Sequence, residues 1–381
     1  MSEFYLACMN NDLSGVINLL EDYTVDLNET DTSRCTPFYI ACAYGHTEIV
    51  RILLADSKID ITKASGQHAP FDIACIKNHI EIIKLLLEDD RIDPNKSVDY
   101  HFSPFCLACR DGKVEIVRIL LEDSRIDVNK HNPFYEACAH NKIEIVKILL
   151  EDPRTDINKG DIIENYSSFS VACYNGHVDI VKILLEDSRI DVNTKNRSGM
   201  TAFSCACRNN QIEVVKILLE DTRIDLNKVD NMDQNPFYYA CMYDRTETIL
   251  ILLEDPRIDV AKPDDMDNTP FHWVCTNGSL DITRRLLEDP RIDPSWETLR
   301  RITPLHNACQ DNQIDVVKIL LGDPRVNINK IDEHGHTPFD LACQFDQFEI
   351  VKFMLEKCDS LIIPPDRSFS AKINELLDLH R

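Results

Sequence analysis

No stretch of this 381-residue chain approaches the ~20 consecutive apolar residues that span a bilayer, and the opening MSEFYLACMNND has no basic segment followed by a long apolar run. Neither membrane insertion nor secretion is expected; the chain reads as soluble and cytoplasmic. Positive charge is also scarce, with 41 Lys and Arg against 65 Asp and Glu and a formal charge of −24. Nucleic-acid backbones are held by Lys and Arg that displace counterions, and anionic lipid surfaces recruit basic segments; neither is an expected partner. Catalytic signatures are missing too: there is no Gly-rich phosphate loop, nucleophile elbow or HExxH. Of the twelve histidines, His46, His79 and His177 recur at one helix-joining position, which marks them as architecture, and His334 and His336 flank Gly335 in a loop. No catalytic residue, metal ligand or cofactor is assigned, and an enzyme is not expected.

Cysteine, by contrast, is plentiful, and eleven of the fifteen recur at one place: Cys8, Cys42, Cys75, Cys109, Cys138, Cys173, Cys207, Cys241, Cys275, Cys309 and Cys343. Ten follow an alanine; Cys275 follows Val274. Helices packed side by side at ~8–10 Å keep equivalent cysteines beyond the ~7 Å Cα limit for a disulfide. Buried thiols filling a small apolar slot, in a reducing compartment, are the reading that follows. Cys106 and Cys109 form a C-x-x-C without a second pair at zinc spacing, so core packing is favoured over a metal site. Cys35, Cys106, Cys205 and Cys358 lie outside the recurring slot and are the candidates if any thiol is redox-active.

Successive slot cysteines are 34, 33, 34, 29, 35, 34, 34, 34, 34 and 34 residues apart, which predicts eleven repeats with almost no linker. In CTPFYIACAYGH, Thr36 suits a helix N-cap and Pro37 the first turn, where an N–H would have no intrahelical partner. The helix stops at Gly45; the matching residues are Asn78, Gly112, Asn141, Gly176, Asn210, Asp244, Gly278, Asn312 and Asp346, types that tolerate a left-handed backbone. A second helix follows with one apolar stripe, Ile49, Val50, Leu53 and Leu54 in one copy, and an acid near its start such as Glu48 or Glu115 suits the helix dipole. A polar excursion of roughly a dozen residues then carries turn formers such as Asn196 and Gly199. One such unit buries too little to stand alone, so neighbours share burial in a solenoid. The first copy, MSEFYLAC, lacks the proline entry, and after residue 358 Phe369, Ile373, Leu376 and Leu377 form one face of a final helix. The expected organisation is a repeat array over 1–358 with an atypical first copy, and a capping helix within 359–381.

TPF-x-x-AC-x-x-GH, then EIVKILL, then D-V-N resembles the ankyrin repeat over essentially the whole chain. The resemblance implies an all-α, curved ankyrin-repeat solenoid of stacked helix-turn-helix units with projecting hairpin loops. Two departures stand out. The ED-x-RID link lengthens most copies beyond the usual 33 residues, and the family's entry histidine is present only as His272 and His306; Tyr39, Asp72, Cys106, Tyr135, Ser170, Ser204, Tyr238 and Asp340 stand elsewhere.

The seven acid pairs from Glu88-Asp89 to Glu288-Asp289 are each followed by an arginine, Arg91 to Arg291, and read as a solvated charge ladder rather than a calcium site. The two residues after the slot cysteine share no size or polarity, as expected where packing imposes no common shape. The resemblance places them, with the loop tips, along a concave binding groove, and Tyr, Arg and Met are types enriched in interface cores. The partner-binding candidates are Tyr44, Arg110, His140, Tyr174, Arg208, Met242, Tyr243, Phe345 and the loop residue Trp296, which serves either as an anchor or as packing against its neighbour. Another loop tip carries Tyr100, His101 and Phe102. Seven positions separate Asp127 from Phe134 where most copies have twelve, so a shortened loop should leave a notch beside Glu136. That acid either reaches water there, the favoured reading, or offers a polar contact to a ligand.

The expected function is a non-catalytic scaffold or adaptor for a protein partner, basic because an acidic surface steers basic partners. The alternative is a regulatory sensor, acting through cysteine oxidation or through hydroxylation at Asn129, Asn193 and Asn227, which the family resemblance makes candidate sites.

Overall fold

Most first helices begin on a side-chain cap, and they end on a left-handed residue. In the computed structural model, which describes residues 2–65, 68–96, 102–363 and 369–380, Thr36 Oγ1 accepts the Tyr39 N–H at 3.1 Å and opens helix Pro37–Tyr44. Gly45 then takes φ +79°, and all nine residues named above as its equivalents are also left-handed. The next N–H doubles back five residues to the alanine before the cysteine, His46 to Ala41 and Gln211 to Ala206 for example, in a Schellman-type closure. The second helix, here Thr47–Ala55, starts at once with Ile49, Val50 and Leu53 buried. Helices continue in such pairs to Pro338–Gln344 and Phe348–Lys357, with Ala371–Asp378 last.

The architecture is an all-α repeat solenoid. Among the described residues there is no strand, only a single bridge between Ser65 and His68, and no helix long and apolar enough to cross a membrane. The eleven slot cysteines are all buried, as are the TPF-type phenylalanines from Phe38 to Phe339, so the repeating core is a phenylalanine beside a thiol. The chain divides into two compact units, Met1–Ile163 with Ile183–Ile190, and Glu164–Lys182 with Asp191–Arg381. Within each, successive first helices pack on one another.

Helices this short leave many carbonyls without intrahelical donors, and side chains of the following repeat supply them. In the first unit Asp123 accepts the Arg125 backbone N–H at 2.9 Å and grips the guanidinium, Oδ2 to Nη2 2.6 Å. So aimed, Arg125 Nη2 donates to Leu87 O at 2.6 Å, at the end of helix Ile80–Leu87, and Nη1 to Ile92 O at 3.2 Å. Arg91 and Arg154 likewise reach Leu54 O and Leu121 O; in the second unit Arg257 and Arg325 reach Leu219 O and Leu287 O. The ED-x-RID run is therefore not one solvated ladder. Its glutamates are exposed, whereas its aspartates, with carboxyls held low by the arginine hydrogen bond, belong to an inter-repeat clamp. The helix-joining histidines act in the same way: His46 Nδ1 donates to Cys8 O at 2.9 Å and His79 Nε2 to Ala43 O at 3.1 Å. The D-V-N asparagine works in the other direction, reaching from one loop to the link of the next repeat. Asn227 Nδ2 donates to Arg257 O and its Oδ1 accepts Asp259 N–H, both at 2.7 Å.

The loops are hairpin turns closed by an N–H to the carbonyl four residues on, Asn196 to Met200 and Asp230 to Gln234 among them. Gly199, at φ +86°, cannot be replaced in place, since a Cβ would lie 2.6 Å from Asn231 N. In the second unit the tips are tied in series: Arg197, Asn231, Asp265, Leu299 and Glu333 each donate to a carbonyl of the preceding tip.

The entry position keeps its cross-repeat bond where histidine remains. His272 Nδ1 accepts Thr269 N–H at 3.1 Å, which leaves Nε2–H to donate to Ile302 O at 3.2 Å; His306 does the same for Thr303 and His336. Other residues substitute. Tyr238 donates to Asp264 Oδ2 at 2.5 Å, and Cys106 Sγ to His131 O at 3.3 Å. Asp72 turns Oδ2 to Ala69 N–H at 2.9 Å and buries Oδ1 without a hydrogen-bond partner among the described residues. Burial pushes its carboxyl up to about 6, and burial pushes His272 down to about 4.

Two outcomes follow. In urea, Arg125→Ala lowers the unfolding free energy by about 1 kcal/mol and Arg125→Lys recovers little, because an ammonium lacks the guanidinium fork; equal stability of all three proteins contradicts the clamp. For Asp72 the raised folded pKa means that its contribution is most favourable below the unfolded value and falls as pH rises towards about 6. Asp72→Asn mimics the protonated form and should stabilise by on the order of 1–3 kcal/mol at pH 7.5, with no gain near pH 4. His272 carries the opposite sign, its stabilisation being lost as pH falls from about 6.5 towards about 4.

Candidate functional site

The two positions after each slot cysteine leave the core. Tyr44, His140, Tyr174, Tyr243 and Phe345 are exposed, and Arg110, Arg208 and Met242 half-buried. Helix geometry explains the change: the alanine and cysteine face the neighbouring repeats, and the turn that follows carries the chain outward to the left-handed stop.

In the second unit three candidates share one patch. The Arg208 guanidinium lies over the Tyr243 ring, 4.8 Å to its centroid, and Tyr243 stacks on Tyr239 at 6.5 Å and 15°. Arg208 Nη1 also meets Met200 Sδ at 3.7 Å. Tyr166 packs against Met200, Cys205 and Tyr239, and its ring stands 6.1 Å from that of Tyr174. A second guanidinium, that of Arg245, lies 5.9 Å from the Tyr243 centroid while its Nε donates to Arg208 O. Tyr166, Met200, Tyr239 and Arg245 lie outside the post-cysteine positions and escape a reading based on them. Tyr166 is the one with a sequence signal, an aromatic immediately before the Ser167 cap.

In the first unit Arg110 and His140 converge on Glu136. His140 Nδ1 donates to Glu136 O at 3.0 Å and stands 3.5 Å from Oε2. Arg110 stacks on Phe102 at 5.3 Å and pairs with Asp111 at 3.2 Å. The shortened loop does not open Glu136 to water, since that side chain is only 13 % exposed. Burial raises its carboxyl, and His140 and then Arg110 oppose the rise. His131 and Asn132 both adopt left-handed φ at the short link, where His131 Nδ1 accepts Ser103 N–H at 2.9 Å and its ring meets the Phe102 edge. The notch is thus partly filled by an imidazole. Tyr100 and His101, from the same loop tip as Phe102, lie outside the described residues.

Tyr44 stacks on His46 at 5.9 Å, apart from either group. Trp296 donates from Nε1 to Asp267 O at 3.0 Å, a bond to the preceding loop, and stays 39 % exposed. Among the described residues, no hydrogen bond, ion pair or ring contact joins the Phe345 or Met242 side chain to these groups.

The residues on which a regulatory switch would rest are built into the packing. Cys35, Cys106 and Cys205 are buried, Cys358 is half-buried, and burial raises all four thiols. The Asn129, Asn193 and Asn227 amides each donate to a backbone carbonyl of the next repeat.

The family model described as ankyrin repeats, in three copies, fits residues 4–98, 91–161, 169–264, 223–296 and 271–362.

Titration of the folded protein with a thiol reagent at pH 8 should modify Cys358 first and the fourteen buried thiols only slowly. All fifteen should react once the chain is unfolded in denaturant. Rapid modification of several thiols in the folded protein contradicts the packed slot.

Proposed function

The chain belongs to the ankyrin-repeat family, a class of protein-interaction domain, and from that premise we propose a non-catalytic scaffold or adaptor that holds a protein partner on its first-helix surfaces and loop tips. One observation carries this reading. Each first helix buries its cysteine and brings out the two residues after it, so packing governs the first position and leaves the others to recognition. Where those residues gather, in the Tyr174, Arg208 and Tyr243 patch, they are the aromatic and arginine types that dominate interface energetics.

The formal charge of −24 supports a partner of net positive charge, with association faster at low salt, and gives no footing to nucleic acid. Unbridged cysteines support a reducing, cytoplasmic setting. We place the repeat array at 1–358 and its cap at 359–381. Ile373, Leu376 and Leu377 of the final helix are buried, Phe369 is half-buried, and the helix packs on Phe348–Lys357.

The test begins with affinity isolation from the native cell, after which the most enriched partner is purified and its binding measured by calorimetry at low and high salt. Binding should weaken at high salt and fall at least about tenfold in the combined Tyr174→Ala, Arg208→Ala, Tyr243→Ala protein. The thermal midpoint of that variant should fall only slightly, since the three side chains meet the buried Met200, Cys205 and Tyr239 cluster at its exposed edge, Tyr174 through Tyr166. A partner bound equally by both proteins at both salt concentrations overturns the reading.

A further inference from the structure

The patch around Tyr243 carries a charge opposite to that of the chain. Arg208 and Arg245 both lie near the Tyr243 ring, and among the described residues neither guanidinium pairs with a carboxylate. This contrasts with the clamp arginines such as Arg223 and Arg257, each gripped by its own aspartate. The acid within the network, Asp230, is turned inward, accepting Tyr239 O–H at 2.6 Å and the Met232 and Gln234 N–H groups at 2.8 Å each. A guanidinium that lies over an aromatic ring can still offer N–H groups to a carboxylate. Arg208 directs Nη1 only to the weak acceptor Met200 Sδ, and Arg245 uses Nε on the Arg208 carbonyl, which leaves its terminal nitrogens. Tyr166, Tyr174 and Tyr243 supply partly exposed aromatic surface beside these groups.

We propose that the surface formed by Arg208, Arg245 and Tyr243 with Tyr166 and Tyr174 docks an acidic segment of the partner protein, its carboxylates meeting the Arg208 and Arg245 guanidiniums and a neighbouring apolar or aromatic residue lying on the tyrosines. This rests on the reading of the chain as a protein-binding scaffold and specifies the chemistry of one contact. It is compatible with a partner of net positive charge, because net charge governs encounter while local complementarity governs the docked contact. The same geometry makes the patch selective: a lysine or arginine brought here meets two unneutralised cations.

Panning a random-peptide display library on the full chain tests it. The expected result is enrichment of peptides with Asp or Glu beside an aromatic or aliphatic residue. Their affinity, measured with the synthetic peptides by fluorescence anisotropy, should fall at least about tenfold in Arg208→Gln with Arg245→Gln and not at all in Arg291→Gln, a clamp residue elsewhere in the same unit. Enriched peptides that are basic or uncharged and bind the double variant unchanged overturn this inference and leave the scaffold reading standing. Failure of any peptide to enrich, together with a purified partner that binds the Tyr174, Arg208 and Tyr243 variant normally, overturns both. Circular dichroism of the Arg208→Gln, Arg245→Gln protein must match the parent; if it unfolds, Tyr243→Leu, which removes the ring under both cations, takes its place with the same expected loss.

Discussion

Helices of seven to ten residues cannot satisfy their own ends, and this structure is organised around that fact. Most first helices open on a side-chain N-cap and close on a left-handed residue, but carbonyls left at helix ends are met by the repeat that follows. Three side-chain types tie neighbours together: the arginine of the ED-x-RID run meets the end of the preceding second helix, the residue after the left-handed stop meets the end of the preceding first helix, and the D-V-N asparagine reaches forward to the link of the next repeat. Each clamp holds polar groups that would otherwise lie unpaired at a half-buried seam, where the cost of an unmade bond exceeds the net worth of a made one. The apolar core supplies the bulk of the burial and the clamps set the register between neighbours.

The same division explains why recognition and stability sit in different residues of one helix. A buried thiol at the slot tolerates no variation in size, whereas the next two residues touch little of the core and range from Ala43-Tyr44 to Gln344-Phe345. Local chemistry then decides what each stretch offers. In the first unit an acid meets His140; in the second, two arginines lie near one tyrosine ring.

The period, the caps and the stops were legible in the sequence because each depends on residues a few positions apart. Gly45 and Asp346, so different chemically, are read alike since both tolerate the left-handed backbone. What depends on a partner in a neighbouring repeat, 25 or more residues away, was not legible. The acid pairs looked like a solvated ladder because nothing in ED-x-RID reveals that a carbonyl of the preceding helix waits for the arginine. That Cys106 and Tyr238 take over the cross-repeat bond of the entry histidine could not be read either, since a thiol and a phenol reach different acceptors. The shortened loop suggests water at Glu136, but His140, four residues on, lies 3.5 Å from its carboxylate and the His131 imidazole stands at the short link. At the binding surface the post-cysteine positions yielded Tyr174, Arg208 and Tyr243, while Tyr166 and Arg245 entered through loop and helix-start geometry that only the folded chain displays.

Native-state hydrogen exchange on Asn227→Ala, resolved along the second unit, tests the central claim most directly. Asn227 makes two bonds to the backbone between Arg257 and Asp259 and none to the core. If neighbouring repeats are held by such clamps, exchange rises most in the two repeats that share them and declines with distance in either direction. A uniform rise along the unit, or no change beside Asp259, would mean that these bonds are incidental and that something else holds the repeats in register.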